Sequence, residues 1–357
     1  MSGAPEALRR RTPPLRVLLV FPFGVLGGAE IWLLRVVEAT DRLDLSAVVL
    51  AEGPLREELA RRGIDATVMP TGRTALGMGA AIRRLRPEIR QRRPEVVLAL
   101  GVKGAAVAVP AARLAGVPAV WARPDHSLDR SLARPLGRLA DRVVAISPEV
   151  GRATGRSDAV VITPPRPERP VARAAARRFW AGRGVELDDG PTLAMATRLI
   201  PYKGVDDAIA ALAREGAEAW RLVVAGGDDY ATPGETDRLR TVAASSGVAD
   251  RVVFAGPVDG AGRYLAAFDA LAVLTKSDAR RPGAEGFGIA ALEAMTAGVP
   301  VVATGSGSLE RMVAGGAGVI VPEGDPAAVA RALAELTPAA ARRRAARAAR
   351  ASATRHP

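Results

Sequence analysis

Short runs of β-branched and aliphatic residues alternate along this chain with longer stretches whose apolar positions recur at helical spacing. In the first half the runs are Arg16–Val20, Ser46–Leu50, Thr67–Met69, Val96–Leu100, Ala119–Ala122, Arg142–Ala145 and Val160–Ile162. Few of them alternate in polarity, so both faces of the sheet they form are expected to be buried under crossover helices, the habit of parallel sheets. The proline cluster TPPRPERP, Thr163–Pro170, breaks this rhythm. Proline fixes φ and removes a donor, so the segment is expected to run extended between domains. The pattern then restarts with a helix near Val171–Gly182 and strands Thr192–Ala196, Leu222–Ala225, Val252–Ala255, Ala270–Leu274, Val301–Ala303 and Gly318–Val321. The fold class is α/β, with two Rossmann-like parallel domains at 15–165 and 166–337. Residues 1–14 read as a disordered basic tail and 338–357 as an Ala/Arg-rich tail.

Composition narrows the chemistry. The apolar fraction of 48% over 357 residues suffices for two cores. The absence of Cys excludes disulfides and thiolate metal sites and fits a reducing cytosol. With only His126 and His356 available, a metal site would need carboxylates, and none is expected. The start, MSGAPEALRRRTPP, has basic residues without a following apolar core and so does not read as a secretory signal. No stretch reaches the length of uncharged apolar chain that a membrane span needs.

The formal charge of +12 is concentrated at the ends. Residues 1–14 carry three Arg against one Glu, and 341–357 carry six Arg, which leaves +4 for the residues between. The C-terminal Arg343, Arg347 and Arg350 fall on one helical stripe, but no large apolar residue accompanies them, so fraying is expected there. Such tails read as solvated ends that can also touch anionic lipid. Aromatic residues are 4% of the chain, too few for the stacking platforms of a specific nucleic-acid binder.

Ligands of parallel α/β sheets collect beyond the carboxyl ends of strands, which directs attention to five loops. In FPFGVLGGAE, Gly27 and Gly28 precede a helix and offer backbone donors to a phosphate or room for a substrate to approach. WARPDHSLDR holds His126, whose imidazole suits hydrogen bonding to a reacting hydroxyl, with Asp125 either orienting it or capping the next segment. ATRLIPYKG places Arg198 and Lys203 five residues apart, two cations able to neutralise a diphosphate, before a helix opened by Gly204. In FAGPV, Gly256 offers a backbone shelf for a flat base. EGFGIAALEAMTAGVPVVAT sets Glu285 and Glu293 eight residues apart around the turn Gly286–Phe287–Gly288. Carboxylates accept from vicinal hydroxyls in pairs, so one suits a sugar and the other a ribose. The helix Ile289–Ala297 presents its N-terminal donors at the same place.

These motifs in this order resemble the retaining glycosyltransferases of family 4, enzymes of GT-B fold, over roughly Leu15–Leu336. TRLIPYKG, VVAGG, VVFAGPV and the Glu285–Thr304 stretch carry most of the resemblance; GGAE and the histidine loop match more loosely. The resemblance implies two domains facing each other across a cleft, acceptor on the first and nucleotide-sugar donor, UDP- or GDP-linked, on the second. It implies that Arg198 and Lys203 hold the donor diphosphate, Glu293 the ribose, and Glu285, Gly286, Phe287 and Gly288 the sugar hydroxyls. His126 would face the reacting centre, Gly27 and Gly28 would lie near donor phosphate or acceptor, and Gly256 near the base. No metal or other cofactor is implied, and the expected catalytic set is His126, Arg198, Lys203 and Glu285.

The acceptor, a small molecule, glycan or lipid-linked compound, is left open, as is peripheral contact with the inner face of an anionic membrane. Thr197 stands where a Gly commonly precedes the arginine, and Ser306-Gly307 replaces a frequent Gly-Gly. The C-terminus lacks clear anchors for the closing helix such enzymes often have. Readings that compete are an inverting GT-B enzyme, a nucleotide-sugar epimerase, and a non-catalytic sugar-nucleotide-binding or membrane-associated protein.

Overall fold

Strands form where the apolar runs predicted them, because in a parallel sheet every residue of a central strand is covered. The computed structural model describes residues 13–72, 74–229, 232–277, 285–305 and 307–355. The chain divides into two compact units after Pro165.

The first unit is a seven-stranded sheet in the order β3-β2-β1-β4-β5-β6-β7. Its strands are β1 (Leu15–Phe21), β2 (Leu43–Val49), β3 (Asp65–Val68), β4 (Val96–Leu100), β5 (Ala119–Arg123), β6 (Arg142–Ala145) and β7 (Val160–Val161). All pairings are parallel. Central β1 pairs Leu19 with Ala47 on one side and Leu98 on the other. Leu18 to Phe21 are fully buried, as two covered faces require. Trp121 on β5 joins the core and satisfies its indole N–H on the Gly101 carbonyl at 3.0 Å.

The second unit is a six-stranded parallel sheet in the order β10-β9-β8-β11-β12-β13. Its strands are β8 (Thr192–Ala196), β9 (Arg221–Ala225), β10 (Val252–Gly256), β11 (Ala270–Val273), β12 (Val301–Thr304) and β13 (Gly318–Val321). Buried Trp220 anchors the helix Pro326–Leu336, donating to Leu333 O at 3.1 Å and Thr337 Oγ1 at 2.9 Å. In both units the strand order reverses beside the first strand, between β1 and β4 and between β8 and β11. At such a point two loops diverge and leave a crevice at the carboxyl ends.

The Ala/Arg-rich end departs from the expected fraying. Residues Ala339–Ala353 form a helix that packs on the helices Ile289–Thr296, Gly307–Val313 and Pro326–Leu336. Ala345, Ala349 and Ser352 are buried, and Ser352 Oγ donates to Met312 O at 2.7 Å. Arg350 reaches the Ala297 carbonyl at 3.3 Å and lies over Gly298, where a Cβ would stand 2.4 Å from its Cζ. Small side chains let the backbones approach, so close packing and a few directed hydrogen bonds replace the large apolar anchors the sequence lacks. The basic tail and His356 fall, at residues 1–12 and 356, outside the described residues, as does Ser306.

Candidate functional site

The loop after β8 is held by backbone contacts that only glycine permits. Thr197 N donates to Ala225 O and Leu199 N to Gly227 O, which draws the loop against the end of β9. A Cβ on Gly226 would lie 1.7 Å from the Thr197 carbonyl oxygen. Pro201–Lys203 then make a single 3-10 turn, closed by Gly204 at φ +70°. A Cβ at Gly204 would sit 2.2 Å from Leu274 O, so this glycine is required both by its left-handed backbone and by its approach to β11.

That approach carries Lys203 to the far side of the crevice. Lys203 Nζ donates to Glu285 Oε1, and Thr275 Oγ1, at the end of β11, donates to the same oxygen. Thr275 is buried, and its carbonyl accepts from Thr304 Oγ1 at 2.8 Å, which ties the end of β12 to the cluster. Burial alone would raise the Glu285 pKa. The Lys203 charge and hydrogen bond, the Thr275 hydroxyl and the more distant Arg198 charge outweigh it and hold the carboxyl below its ordinary value. Arg198, half exposed, donates from Nη1 to Asp229 Oδ2 at 2.6 Å. Lys276 steadies the neighbouring loop, its N–H on Tyr202 O at 2.7 Å and its Nζ 2.9 Å from Asp206 Oδ1.

Gly288, at φ +90°, opens the helix Ile289–Thr296, and Phe287 is buried beneath the turn. Glu293 projects from this helix against Gly262, in the 3-10 segment Ala261–Ala267, where a Cβ would meet Glu293 Cδ at 2.4 Å. Gly256 ends β10 at φ +71° beside a register shift, and a Cβ there would meet nothing within 4 Å. The second unit thus brings Lys203, Thr275 and Glu285 into direct contact with Arg198 in electrostatic reach. Thr275, Asp229, Gly226 and Gly262 were not singled out from sequence, because only the tertiary contacts disclose them.

In the first unit His126 is buried at 9% exposure. Its Nδ1 lies 2.8 Å from Asp129 Oδ2, so Asp129 orients the ring. Asp125 instead accepts from Ser127 N at 2.9 Å and closes a local turn, the capping alternative. The Gly27 N–H is donated to Glu30 Oε2 at 3.0 Å, so this donor serves the first turn of its own helix, Gly28–Glu38, and is not presented to a phosphate. Gly28 is exposed at the first position of that helix.

Two cavities lie elsewhere, one in each unit. One of about 390 Å³ is lined by Asp129, Ser131, Arg134, Pro135 and Ala153, and one of about 340 Å³ by Gly305, Ile320, Val321, Pro322 and Glu323. Neither lining includes the Lys203–Glu285 pair, whose side chains are largely buried. Among the described residues no group of three or more His, Cys, Asp or Glu is arranged to hold a metal ion, and no helix is long and apolar enough to cross a membrane.

Chemically, the second unit presents two cations whose present partners are carboxylates. A diphosphate offers the same ionic and hydrogen-bonding complement, and freeing Glu285 from Lys203 would leave it an acceptor for hydroxyls.

Comparison with known proteins bears on the family and the fold. The family described as Glycosyl transferases group 1 matches residues 177–352, and that described as Glycosyltransferase Family 4 matches 26–165. A GDP-mannose-dependent alpha-(1-6)-phosphatidylinositol monomannoside mannosyltransferase of Mycobacterium tuberculosis is 35% identical over 58% of this chain and 57% of its own length. A D-inositol 3-phosphate glycosyltransferase of Acidothermus cellulolyticus is 36% identical over 50% of this chain and 40% of its own. The chain thus matches about half the length of these curated relatives. Among solved structures, Anabaena Alr3699/HepE in complex with UDP-glucose superposes with a TM-score of 0.80 at 21% identity, covering 96% of this chain and 95% of that one. Sucrose-phosphate synthase from Thermosynechococcus elongatus does so with a TM-score of 0.70 at 18% identity, covering 96% of this chain and 94% of that one. The two parallel-sheet units are those of the GT-B fold. With one family matching each unit, the chain belongs to the group 1, family 4 glycosyltransferases.

Proposed function

We propose that this protein transfers a sugar from a UDP- or GDP-sugar to an acceptor hydroxyl with retention of anomeric configuration. The observation that carries the reading is the convergence of Lys203, Thr275 and Glu285 at the β8/β11 reversal, with Arg198 beside them. Arg198 and Lys203 bind the donor diphosphate. Glu285 and the Gly286–Gly288 turn take the sugar hydroxyls, Glu293 takes the ribose, and the backbone at Gly256 borders the base. The bond from the anomeric carbon to the diphosphate oxygen breaks, the bond to the acceptor oxygen forms on the same face, and the acceptor proton passes to the departing diphosphate. Two fixed cations stabilise the charge that develops on that oxygen, which is the term that accelerates such a step. On this reading no metal is needed, and chelation leaves the rate unchanged.

The first unit, 15–165, takes the acceptor and presents His126 to the reacting centre. The relatives named for phosphatidylinositol monomannoside and inositol 3-phosphate put inositol-bearing acceptors first among those to test. Were the acceptor lipid-linked, the exposed Arg343, Arg344 and Arg347 would favour an anionic surface. Arg198→Ala and Lys203→Ala are each expected to lower kcat/KM by roughly 2–4 kcal/mol of transition-state stabilisation. The anomeric coupling in the product's proton spectrum reads the stereochemistry. Normal turnover in both variants would sink the assignment, and an inverted product would replace retention by inversion.

A further inference from the structure

Strand β5 ends on Arg123, whose guanidinium is fully buried. Its Nη2 donates to Asp129 Oδ1 and lies 3.4 Å from Ser127 O, while Nε and Nη1 find no acceptor among the described residues. The Trp121 ring centroid is 5.1 Å away. Burial lowers the Arg123 pKa to about 10, opposed by the Asp125 charge, so the group stays cationic at neutral pH. A buried cation with two unmet donors is unfavourable for folding, and its neighbourhood is strained as well. Leu128 adopts φ +54°, a left-handed conformation unusual for a branched side chain, and Asp129–Ala133 forms one π-helical turn. These departures all surround a single contact, that of Asp129 Oδ2 with His126 Nδ1 at 2.8 Å.

We propose that Arg123 and Asp129 are positioning residues that hold neutral His126 with its proton on Nδ1, leaving Nε2 as the acceptor nitrogen. The argument is one of hydrogen-bond polarity. A guanidinium can only donate, so it fixes one carboxylate oxygen of Asp129. The other oxygen, on an ionised carboxylate, can only accept, so the neutral ring must donate from Nδ1. The strained Leu128 backbone and the π turn bring Asp129 back over the histidine three residues before it. The consequence for turnover rests on the role proposed for His126, but the state of the ring is readable without any substrate.

The polarity makes a prediction that mere packing would not. In Asp129→Asn, Arg123 demands the amide oxygen, which turns the amide NH2 toward His126 Nδ1. The ring must then accept at Nδ1 and carry its proton on Nε2. Adding Arg123→Met releases the amide to rotate, so the ring is no longer forced to carry its proton on Nε2 and both tautomers should be populated.

The chain has only two histidines, so in the full-length protein with His356→Gln a long-range proton–nitrogen correlation spectrum reports His126 alone. It is recorded about two pH units above an ordinary histidine pKa. The expected sequence is Nδ1–H in the parent, Nε2–H in Asp129→Asn and a mixture of the two tautomers in Asp129→Asn/Arg123→Met. An Nε2–H ring in the parent, which requires no Asp129 or Arg123 variant to fold, overturns the proposal, as does an Asp129→Asn ring that keeps its proton on Nδ1. Turnover in Asp129→Asn is expected to fall roughly 100-fold in kcat with donor KM little changed. A ring that switches while kcat does not would count against the role of His126 in transfer and leave the ring assignment standing.

Discussion

Replacing Gly262 by alanine separates the placement of Glu293 from the stability of the unit. The new Cβ would lie 2.4 Å from Glu293 Cδ, with both carboxylate oxygens within 2.7 Å. Carbon atoms rest at about 3.5–4.0 Å, so the overlap exceeds roughly 1 Å and something must move. The obstructing atoms are the end of a flexible side chain, and rotating Glu293 aside costs about 0.5–1.5 kcal/mol. Melting temperature is therefore expected to fall by only about 2–4 °C. On the proposed role of Glu293, the displaced carboxylate no longer meets the ribose. Losing one hydrogen bond to a charged group costs about 1.5–3 kcal/mol, which converts to donor binding weakened by roughly 10- to 150-fold. Calorimetric titration with the nucleoside diphosphate reads the affinity and differential scanning the stability. Glu293→Ala should weaken binding similarly, and the double variant should be no worse than Glu293→Ala alone. Wild-type affinity in Gly262→Ala, or losses that add in full, would refute the account of how Glu293 is placed.

Three further outcomes follow from the same contacts. Gly204→Ala forces a Cβ onto Leu274 O at 2.2 Å in a left-handed conformation, which side-chain rotation cannot relieve; the conformation alone costs about 1–2 kcal/mol, and melting should fall by more than about 4 °C. Because the Glu285 pKa is depressed in the folded state, its ionised form adds stability above the unfolded value of about 4.3, and this is lost as pH falls through the folded pKa. Denaturant titrations of the wild type and Glu285→Gln should therefore differ most near neutrality and converge at acid pH; a gap that widens on acidification would contradict the ion pair. Ser352→Ala leaves the Met312 carbonyl without its buried donor and should cost about 1–3 kcal/mol, whereas a frayed C-terminal helix would show no change.

Most strands were legible because parallel sheets bury both faces, so the central ones are written as short apolar runs, whereas β2 begins at Leu43, ahead of the run, because Asp44 and Ser46 interrupt the apolar signal. Even β7, only Val160–Val161 in length and exposed at the sheet edge, stood out within the apolar run Ala159–Ile162. The end of the chain was misread because docking there uses Ala345, Ala349 and one serine, and small residues give no periodic signal of burial. At the candidate site, charged residues were visible and their supports were not. Lys203 and Glu285 are 82 positions apart, and their contact depends on Gly204 lying against β11. Asp125 was the nearest acid to His126 in sequence, yet a left-handed Leu128 followed by a π turn hands the contact to Asp129. The pattern Gly27-x-x-Glu30 did contain the reason the Gly27 N–H is occupied, since a glutamate at the third helical position reaches back to the preceding N–H.

The central claim is that the second unit grips a nucleoside diphosphate through Arg198 and Lys203. The most direct test is calorimetric titration of the intact protein with UDP and with GDP, repeated on the folded Arg198→Ala/Lys203→Ala variant. The account predicts saturable one-to-one binding of at least one nucleotide, weakened by roughly 100-fold or more in the variant. Equal affinity in the two proteins would contradict it.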